Sequence, residues 1–284
     1  MTHQNSSVVS HPLMRNDGAM KILAINASHR GNQGHTSFLI DRLFQGAVAA
    51  GAECEVVTLA RLKINRCLAC NQCETAEHHL HCVYDDKDGV RVIFDKMADA
   101  DLIIYATPVY IFGMSGLLKT FLDRLHATAD SLQMQLSNSG LVFHHINRAI
   151  CSKPFVTLVC CDNVESETPK NVLAYFRTFS RFMDAPQVGE LVRNGGRLLG
   201  HGHNPEREKM FPRMRDVYAA YEQAGSELAT VGRIRRATQH RANQEIVPIP
   251  LFGFLKRLPF KLLKRKFAEQ AQKMQLEFKI EVDG

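Results

Sequence analysis

The chain lacks any long hydrophobic run. Its first twenty residues, MTHQNSSVVSHPLMRNDGAM, are polar and contain no apolar stretch that resembles a signal peptide. No later run approaches the roughly 20 apolar residues that a membrane-spanning helix needs. We therefore expect a cytoplasmic protein, in which thiols stay reduced and clustered cysteines are ligands or reactive groups rather than disulfides.

Acidic residues are scarce in one segment near the C-terminus. Between residues 232 and 267 a single acid, Glu245, faces ten basic residues, although the formal charge of the whole chain is only +6. The remainder is therefore close to neutral or slightly acidic, which argues against nucleic-acid binding across the whole surface. The basic residues are Arg233, Arg235, Arg236, Arg241, Lys256, Arg257, Lys261, Lys264, Arg265 and Lys266.

Short apolar runs alternate with segments of helical spacing from Met20 onward. Strands separated by helices of this length predict an α/β fold, a doubly wound five-stranded parallel sheet with helices on both faces. The predicted domains are a flexible arm at 1–19, an α/β domain at 20–205 and a basic helical extension at 206–284. The predicted strands are MKILAINAS, ECEVVTL, DLIIYATPVY, KPFVTLVCCD and QVGELV.

The loop after the first predicted strand, NASHRGNQGHTSF, combines hydroxyls, glycines and one cation at the start of a helix. Free N–H groups at a helix start attract an anion, so the loop predicts a phosphate cradle, with an ordinary polar turn as the alternative. It matches neither G-x-x-x-x-G-K-[ST] nor G-x-G-x-x-G, so a triphosphate or a Rossmann dinucleotide is not indicated. Thr36 or Ser37 is expected to cap the helix. The residues concerned are Ser28, Arg30, Gly31, Gly34, Thr36 and Ser37.

The loop after the third predicted strand is TPVYIFGMSGLLK. Its proline, aromatics, glycine and small residues can present backbone N–H groups and an apolar surface to a flat heterocycle. In a doubly wound sheet, ligands bind beyond the carboxyl ends of the strands, where both loops lie. A phosphate at one loop and a flat ring at the other describe a mononucleotide such as FMN.

Four cysteines lie close together between the second predicted strand and the next helix. Cys67, Cys70 and Cys73 have the spacing C-x2-C-x2-C, and Cys82 follows. One short loop of this spacing can give a thiolate to each of three irons of a cubane cluster, with Cys82 available for the fourth. Zinc sites more often take pairs of ligands from two separated arms, so the spacing favours an iron-sulfur cluster.

The fourth ligand of such a cluster has alternatives. His78, His79 and His81 lie in the gap before Cys82 and could replace it, although exposed loop histidines are the simpler interpretation. The loop could also bind zinc or hold free thiols.

The segments SHRGNQGHTS, CLACNQC with the following YDD, and TPVYIFGMSGLLKTFLDR resemble one family in this order. It is the flavodoxin-like NAD(P)H-dependent FMN reductase family, and within it the iron-sulfur flavoprotein subgroup; the resemblance covers roughly 20–199. It implies that Ser28, Arg30, Thr36 and Ser37 hold the FMN phosphate. It implies that Pro108, Val109, Tyr110, Ile111, Phe112 and Gly113 line the isoalloxazine ring, with Asp162 on the flavin's other side. It also implies a [4Fe-4S] cluster on Cys67, Cys70, Cys73 and Cys82.

The resemblance implies an FMN oxidoreductase with NAD(P)H or ferredoxin as electron donor. Its acceptor is expected to be a quinone, a flavin or another small molecule, and the protein is expected to be a homo-oligomer. No catalytic side chain is assigned, because the flavin itself carries the redox chemistry. Two alternatives stay open: a simple NAD(P)H:quinone or FMN reductase with a structural or zinc-binding cysteine loop, and a non-enzymatic carrier of the flavodoxin type.

The C-terminal segment PIPLFGFLKRLPFKLLKRKF mixes phenylalanine and leucine with lysine and arginine. This composition is typical of a segment that lies on an anionic membrane surface. Pro259 interrupts a continuous helix, however, and we favour a tail that packs over the domain or a partner subunit with its basic side chains in water.

Overall fold

The computed structural model describes residues 18–202 and 205–246, together with isolated positions between 261 and 273. The predicted N-terminal arm lies outside the described residues except for positions 18 and 19. The basic segment PIPLFGFLKRLPFKLLKRKF lies outside them except for positions 261, 265 and 266, so its predicted membrane contact or packing is not addressed. No helix in the described part is long and apolar enough to cross a membrane.

The centre of the molecule is a parallel sheet of five strands. The strands of the described residues are β1 (Lys21–Asn26), β2 (Glu53–Thr58), β3 (Leu102–Tyr110), β4 (Gly113–Met114), β5 (Ala129–Leu136), β6 (Val142–Ile146), β7 (Phe155–Cys160) and β8 (Gln187–Arg193). The sheet has the order β2-β1-β3-β7-β8, and β4 folds back antiparallel on the end of β3. All six residues of β7 are buried, as expected for a strand covered on both faces. The predicted doubly wound α/β fold is confirmed.

Helices cover both faces of the sheet. They are α1 (His35–Ala49), α2 (Val90–Asp99), α3 (Gly116–Asp123), α4 (Arg148–Cys151), α5 (Lys170–Phe182), α6 (Gly196–Leu199), α7 (Pro205–Met210), α8 (Arg213–Val231) and α9 (Arg236–Ala242). Residues of α2, α3, α4 and α5 share one core with the sheet, including Phe94, Phe121 and Phe176. Residues of α1, α8 and α9 form the second core, including Leu43 and Tyr221. The predicted boundary at residue 205, between the α/β domain and the C-terminal extension, stays a prediction.

The prediction that Thr36 or Ser37 caps α1 is wrong. The helix begins at His35 and its N-cap is Gly34, so both hydroxyl residues lie inside the first turn and are buried. A Cβ at Gly34 would stand 2.4 Å from the Ser28 Oγ. The loop therefore approaches the start of the helix more closely than a capping side chain at this position would allow.

The outer edge of β8 is covered by the segment around α9. The Ile234 N–H donates to the Val188 carbonyl at 2.9 Å, and the Glu190 N–H donates to the Gln239 Oε1 at 2.8 Å. The Asn243 amide accepts from the Val192 N–H at 2.8 Å and donates to the Glu190 carbonyl at 2.9 Å. These bonds occupy backbone groups that would otherwise be available for pairing with another strand.

The sequence did not predict the antiparallel hairpin of β5 and β6. It forms a two-stranded sheet separate from the central one. Met134 is 59% exposed, Leu136 67% and Val142 64%. Leu136 pairs directly with Val142, and Met134 lies two residues from Leu136 on the same face. The hairpin therefore presents an uncovered apolar face in the described structure.

Candidate functional site

Three of the predicted loops meet at the carboxyl edge of the sheet. The Ala27 N–H donates to the Ala106 carbonyl at 2.9 Å, which joins the ends of β1 and β3. The rings of His29 and Tyr110 lie 5.5 Å apart. Burial raises the pKa of Tyr110, the nearby Asp162 carboxylate raises it further, and Arg30 lowers it. The loops after β1, β3 and β7 are therefore neighbours, as their positions in a parallel sheet predict.

The loop between β1 and α1 forms a compact cradle. Ser28, Thr36 and Ser37 are at most 5% exposed, whereas Arg30 is exposed. The Ser28 Oγ accepts from the Arg30 N–H at 3.3 Å. Buried hydroxyls and a flexible cation therefore surround the first turn of a helix, an arrangement suited to an anion.

Sequence reasoning missed the residue that holds this cradle. Asn26, the last residue of β1, is fully buried. Its side-chain oxygen accepts from the Ser28 N–H at 3.1 Å, and its amide nitrogen donates to the Gly31 carbonyl at 3.4 Å. An asparagine at a strand end, followed by a turn, was the available signal, because Asn side chains readily bond the backbone two residues on.

The turn between β3 and β4 is strained and exposed. Ile111 and Phe112 have φ angles of 46° and 62°, and a β-branched residue rarely adopts such a conformation. Their side chains are 92% and 62% exposed. The Asn171 side chain, at the start of α5, donates to the Phe112 carbonyl at 3.1 Å. Strain of this kind is concentrated at functional sites, and Asn171 was not predicted to take part in this one.

The other residues predicted for the ring site lie around this turn. Pro108 and Val109 are half-buried at the end of β3, and Gly113 is half-buried in β4. Asp162 is exposed after β7, and a Cβ at Gly196 would lie 3.2 Å from its Oδ1. The fold thus places the predicted FMN residues on three adjoining loops, while their contacts with FMN stay a prediction.

All four cysteines of the predicted cluster line one small cavity of about 20 Å³. Cys73 is buried, and burial raises the pKa of its thiol; a backbone hydrogen bond lowers this pKa, while Glu74, Cys82 and Cys67 raise it. Ala69 and Asn71, between the first three cysteines, have φ angles of 50° and 55°, which curl the loop tightly. Each of the four cysteines is a free thiol.

The histidines considered as alternative ligands point elsewhere. His78, His79 and His81 lie 3.8–3.9 Å from carboxylates of Glu77, Asp130 and Asp85, and none of the three histidines lines the cysteine cavity. Across residues 18–202 and 205–246, no three His, Cys, Asp or Glu side chains are arranged to hold one metal ion.

Arg124, which sequence reasoning also missed, lines the cysteine cavity. Its side chain is 1% exposed. The Nη1 atom donates to the Asp88 Oδ2 at 2.6 Å and to the Asn65 carbonyl at 3.1 Å, and Nη2 donates to the Asp85 Oδ1 at 3.2 Å. Burial opposes ionisation of Asp88, but hydrogen bonds from Asn65, Val90 and Arg124 hold its pKa below the usual value. The cavity wall therefore contains a charged, hydrogen-bonded network.

The fold and the edge where the loops meet define a flavodoxin-like α/β protein. Residues 20–143 match the family model described as NADPH-dependent FMN reductase. The resemblance to this family predicted from the sequence is thereby confirmed over these residues.

Curated relatives of the chain include iron-sulfur flavoproteins. An iron-sulfur flavoprotein of Methanocaldococcus jannaschii is 33% identical over 123 residues, which are 43% of this chain and 61% of that protein. An iron-sulfur flavoprotein of Archaeoglobus fulgidus is 32% identical over 105 residues, 37% of this chain and 48% of that protein. The chain thus matches about half to three fifths of the length of these relatives.

Solved structures share the fold at low identity. An FMN-dependent NADH-azoreductase of Bacillus anthracis, in complex with FMN, has a TM-score of 0.51 and 13% identity. The match covers 74% of this chain and 100% of that one. This similarity supports the fold alone.

Proposed function

We propose that the protein is an FMN-dependent oxidoreductase that takes electrons from NAD(P)H and passes them to a small-molecule acceptor such as a quinone or a flavin. The observation that carries this proposal is the meeting of a buried hydroxyl cradle, a strained exposed turn and Asp162 at one edge of the sheet. A phosphate site and an apolar platform at this edge suit a mononucleotide. The family match over residues 20–143 supports FMN as that mononucleotide.

In this proposal Ser28, Thr36 and Ser37 donate hydroxyl hydrogen bonds to the FMN phosphate, and the exposed Arg30 closes over it. Residues 108–113 support the ring from one side, with Asp162 at the other. Bound FMN would supply hydride and single-electron transfer, so the chain has only to bind, orient and shield it. Asn171 keeps the strained turn in place through the Phe112 carbonyl.

We further propose that Cys67, Cys70, Cys73 and Cys82 hold a [4Fe-4S] cluster. Four free thiols around one cavity provide the four ligands that such a cluster takes. The relatives named iron-sulfur flavoproteins support this assignment. Zinc bound by the same thiols is the alternative, and metal analysis separates the two.

Anaerobically purified protein is expected to contain about one FMN, four irons and four acid-labile sulfides per chain. Cys82→Ser is expected to lose most of the iron and sulfide and to keep FMN, because Cys82 lies in the cysteine cavity and not on the flavin loops. Cys54→Ser is the control, since Cys54 lies in β2, where burial raises its pKa to about 11. FMN, iron, sulfide and zinc are measured on the same samples.

The same samples test the enzymatic part of the proposal. Steady-state oxidation of NAD(P)H with a quinone acceptor is expected, and reduced ferredoxin is tested as the other donor. If neither donor supports turnover, the protein is an electron carrier and not an enzyme. If it contains FMN but no iron or sulfide, it is a simple flavin reductase. Zinc in place of iron would refute the cluster.

We also propose that the protein is a homo-oligomer in which two copies pack through the hairpin of β5 and β6. Ala129, Ile146 and Phe143 of this hairpin pack in or against the core, whereas Met134, Leu136 and Val142 are exposed. The exposed side chains of Met134, Leu136 and Val142 are apolar, and the half-buried His144 lies beside Met134 on the same face. The same face of a second copy is therefore a suitable complement. We expect Leu136→Lys to lower the mass measured by light scattering, whereas Val48→Lys, on an exposed position of α1, leaves it unchanged. A monomeric wild type, or a Leu136→Lys protein of unchanged mass, would contradict this interface.

A further inference from the structure

We infer that Arg124 is a positioning residue that donates its Nε–H to a sulfur of the cluster proposed at the cysteine cavity, and thereby raises the reduction potential of that cluster. This inference rests on the proposed [4Fe-4S] cluster and adds a role for a residue outside the four cysteines.

The first argument is the unused donor of Arg124. Its Nη1 and Nη2 atoms are occupied by Asp88, Asn65 and Asp85, whereas its Nε is buried and has no hydrogen-bond partner among the described residues. The Arg193 Nε is also buried without such a partner, and what distinguishes Arg124 is that it lines the cysteine cavity. A buried donor without an acceptor costs about 1–3 kcal/mol and calls for an explanation. A ligand in the adjoining cavity that accepts a hydrogen bond would supply one.

The second argument is the composition of the cavity. Besides the four thiols and Arg124, its lining consists of the apolar Leu68, Val83 and Ala127 and of side chains that carry no negative charge, namely Asn71, Gln72, Tyr84 and His126. The His126 Nε2 lies 3.4 Å from the Glu74 carboxylate, which is outside the lining. Thiolates and cluster sulfides are therefore the anionic acceptors that a bound cluster would bring to this wall. Hydrogen bonds to sulfur and nearby positive charge stabilise the reduced cluster, which raises its reduction potential.

The third argument is how firmly Arg124 is held. Asp85 accepts from the Cys82 N–H at 3.0 Å and from Arg124, so one carboxylate ties the guanidinium to the backbone of a predicted ligand. The Arg124 guanidinium also lies 5.6 Å from the centre of the Tyr84 ring. Arg124 directly follows α3, which begins just after the predicted flavin turn. The guanidinium is therefore fixed both to the cysteine loop and to the helix that leaves the flavin site.

The first test is a redox titration of the full chain, purified anaerobically and followed by EPR. Arg124→Lys keeps the positive charge beside Asp88 and removes the Nε donor. We expect it to retain its iron and to shift the reduction equilibrium at least tenfold toward the oxidised cluster, about 59 mV for a one-electron couple. Arg193→Lys is the matched control, because Arg193 is equally buried and its Nε also lacks a partner among the described residues. Arg193 donates instead to the carbonyls of Ala242 and Gln244 and does not line the cysteine cavity.

A second measurement does not depend on the folding of any variant. Pulsed ENDOR on the reduced wild-type cluster, in protein labelled with 15N-arginine, is expected to show a 15N coupling in place of the 14N coupling of unlabelled protein. Absence of that coupling in wild type that contains four irons would overturn the role of Arg124 and leave the cluster in place. An unchanged potential in iron-loaded Arg124→Lys would overturn it equally. Wild type without iron or sulfide would overturn both the cluster and this inference, so the two failures are distinguishable.

Discussion

Gly225→Ala is expected to lower the free energy of unfolding by about 2 kcal/mol, because α1 and α8 pack closely at two glycines. A Cβ on Gly225 would stand 1.8 Å from the Leu43 carbonyl oxygen, and one on Gly46 would stand 1.7 Å from the Glu222 carbonyl oxygen. Backbone oxygens inside helices cannot rotate away, so the two helices must separate. Overpacking of a core typically lowers the free energy of unfolding by about 1–3 kcal/mol. The better helix propensity of alanine offsets at most about 1 kcal/mol of this loss.

Urea unfolding of the purified chain measures this effect. Gly116→Ala is the matched control, because Gly116 also lies in a helix but a Cβ there would meet nothing within 4 Å. The control is expected to stay within about 0.5 kcal/mol of wild type. An unchanged midpoint for Gly225→Ala would mean that the two helices are not in the close contact described.

The sheet was predictable because its strands are buried on both faces. The nearly continuous apolar runs of β3 and β7 allow little besides a covered parallel sheet, and the intervening helices set its connections. The hairpin of β5 and β6 was missed for the opposite reason. Its Leu-Gln-Met-Gln-Leu alternation, followed by a turn at Gly140, was visible, but these side chains face solvent. A search for core residues therefore did not identify this segment as part of a sheet.

The site was predictable only as far as local sequence defines it. Loops that follow parallel strands meet at one edge, so the cradle and the exposed turn were expected to be neighbours. Arg124 and Asn171 were missed because their contacts join distant parts of the chain, 36 residues apart for Arg124 with Asp88 and 59 for Asn171 with Phe112. The capping prediction for Thr36 and Ser37 failed because the helix begins before them, at His35, with Gly34 as its N-cap. Gly34 lies against Ser28, where an added Cβ would stand 2.4 Å from the Ser28 Oγ.

The close approach of Gly34 to Ser28 gives the second large expected effect, a loss of FMN affinity. Gly34→Ala is expected to raise the dissociation constant of FMN at least tenfold, or about 1.4 kcal/mol. The new Cβ would lie 2.4 Å from the Ser28 Oγ and 3.2 Å from the Ser28 Cβ. Ser28 is 2% exposed, so its hydroxyl must rotate away from the Arg30 N–H, and the predicted phosphate donor leaves its place. The backbone itself tolerates alanine, because Gly34 has a φ of −86°.

Titration of flavin-free protein with FMN, followed by quenching of flavin fluorescence, measures the change. Gly89→Ala is the matched control: Gly89 is the N-cap of α2 with a φ of −85°, and a Cβ there would meet its nearest atom at 3.6 Å. Both substitutions replace a glycine N-cap by alanine and so have the same effect on helix capping. The two variants therefore differ only in the contact with Ser28. Iron content should stay at the wild-type value in both, because neither position lines the cysteine cavity. Wild-type FMN affinity in Gly34→Ala would place the phosphate outside the cradle between β1 and α1.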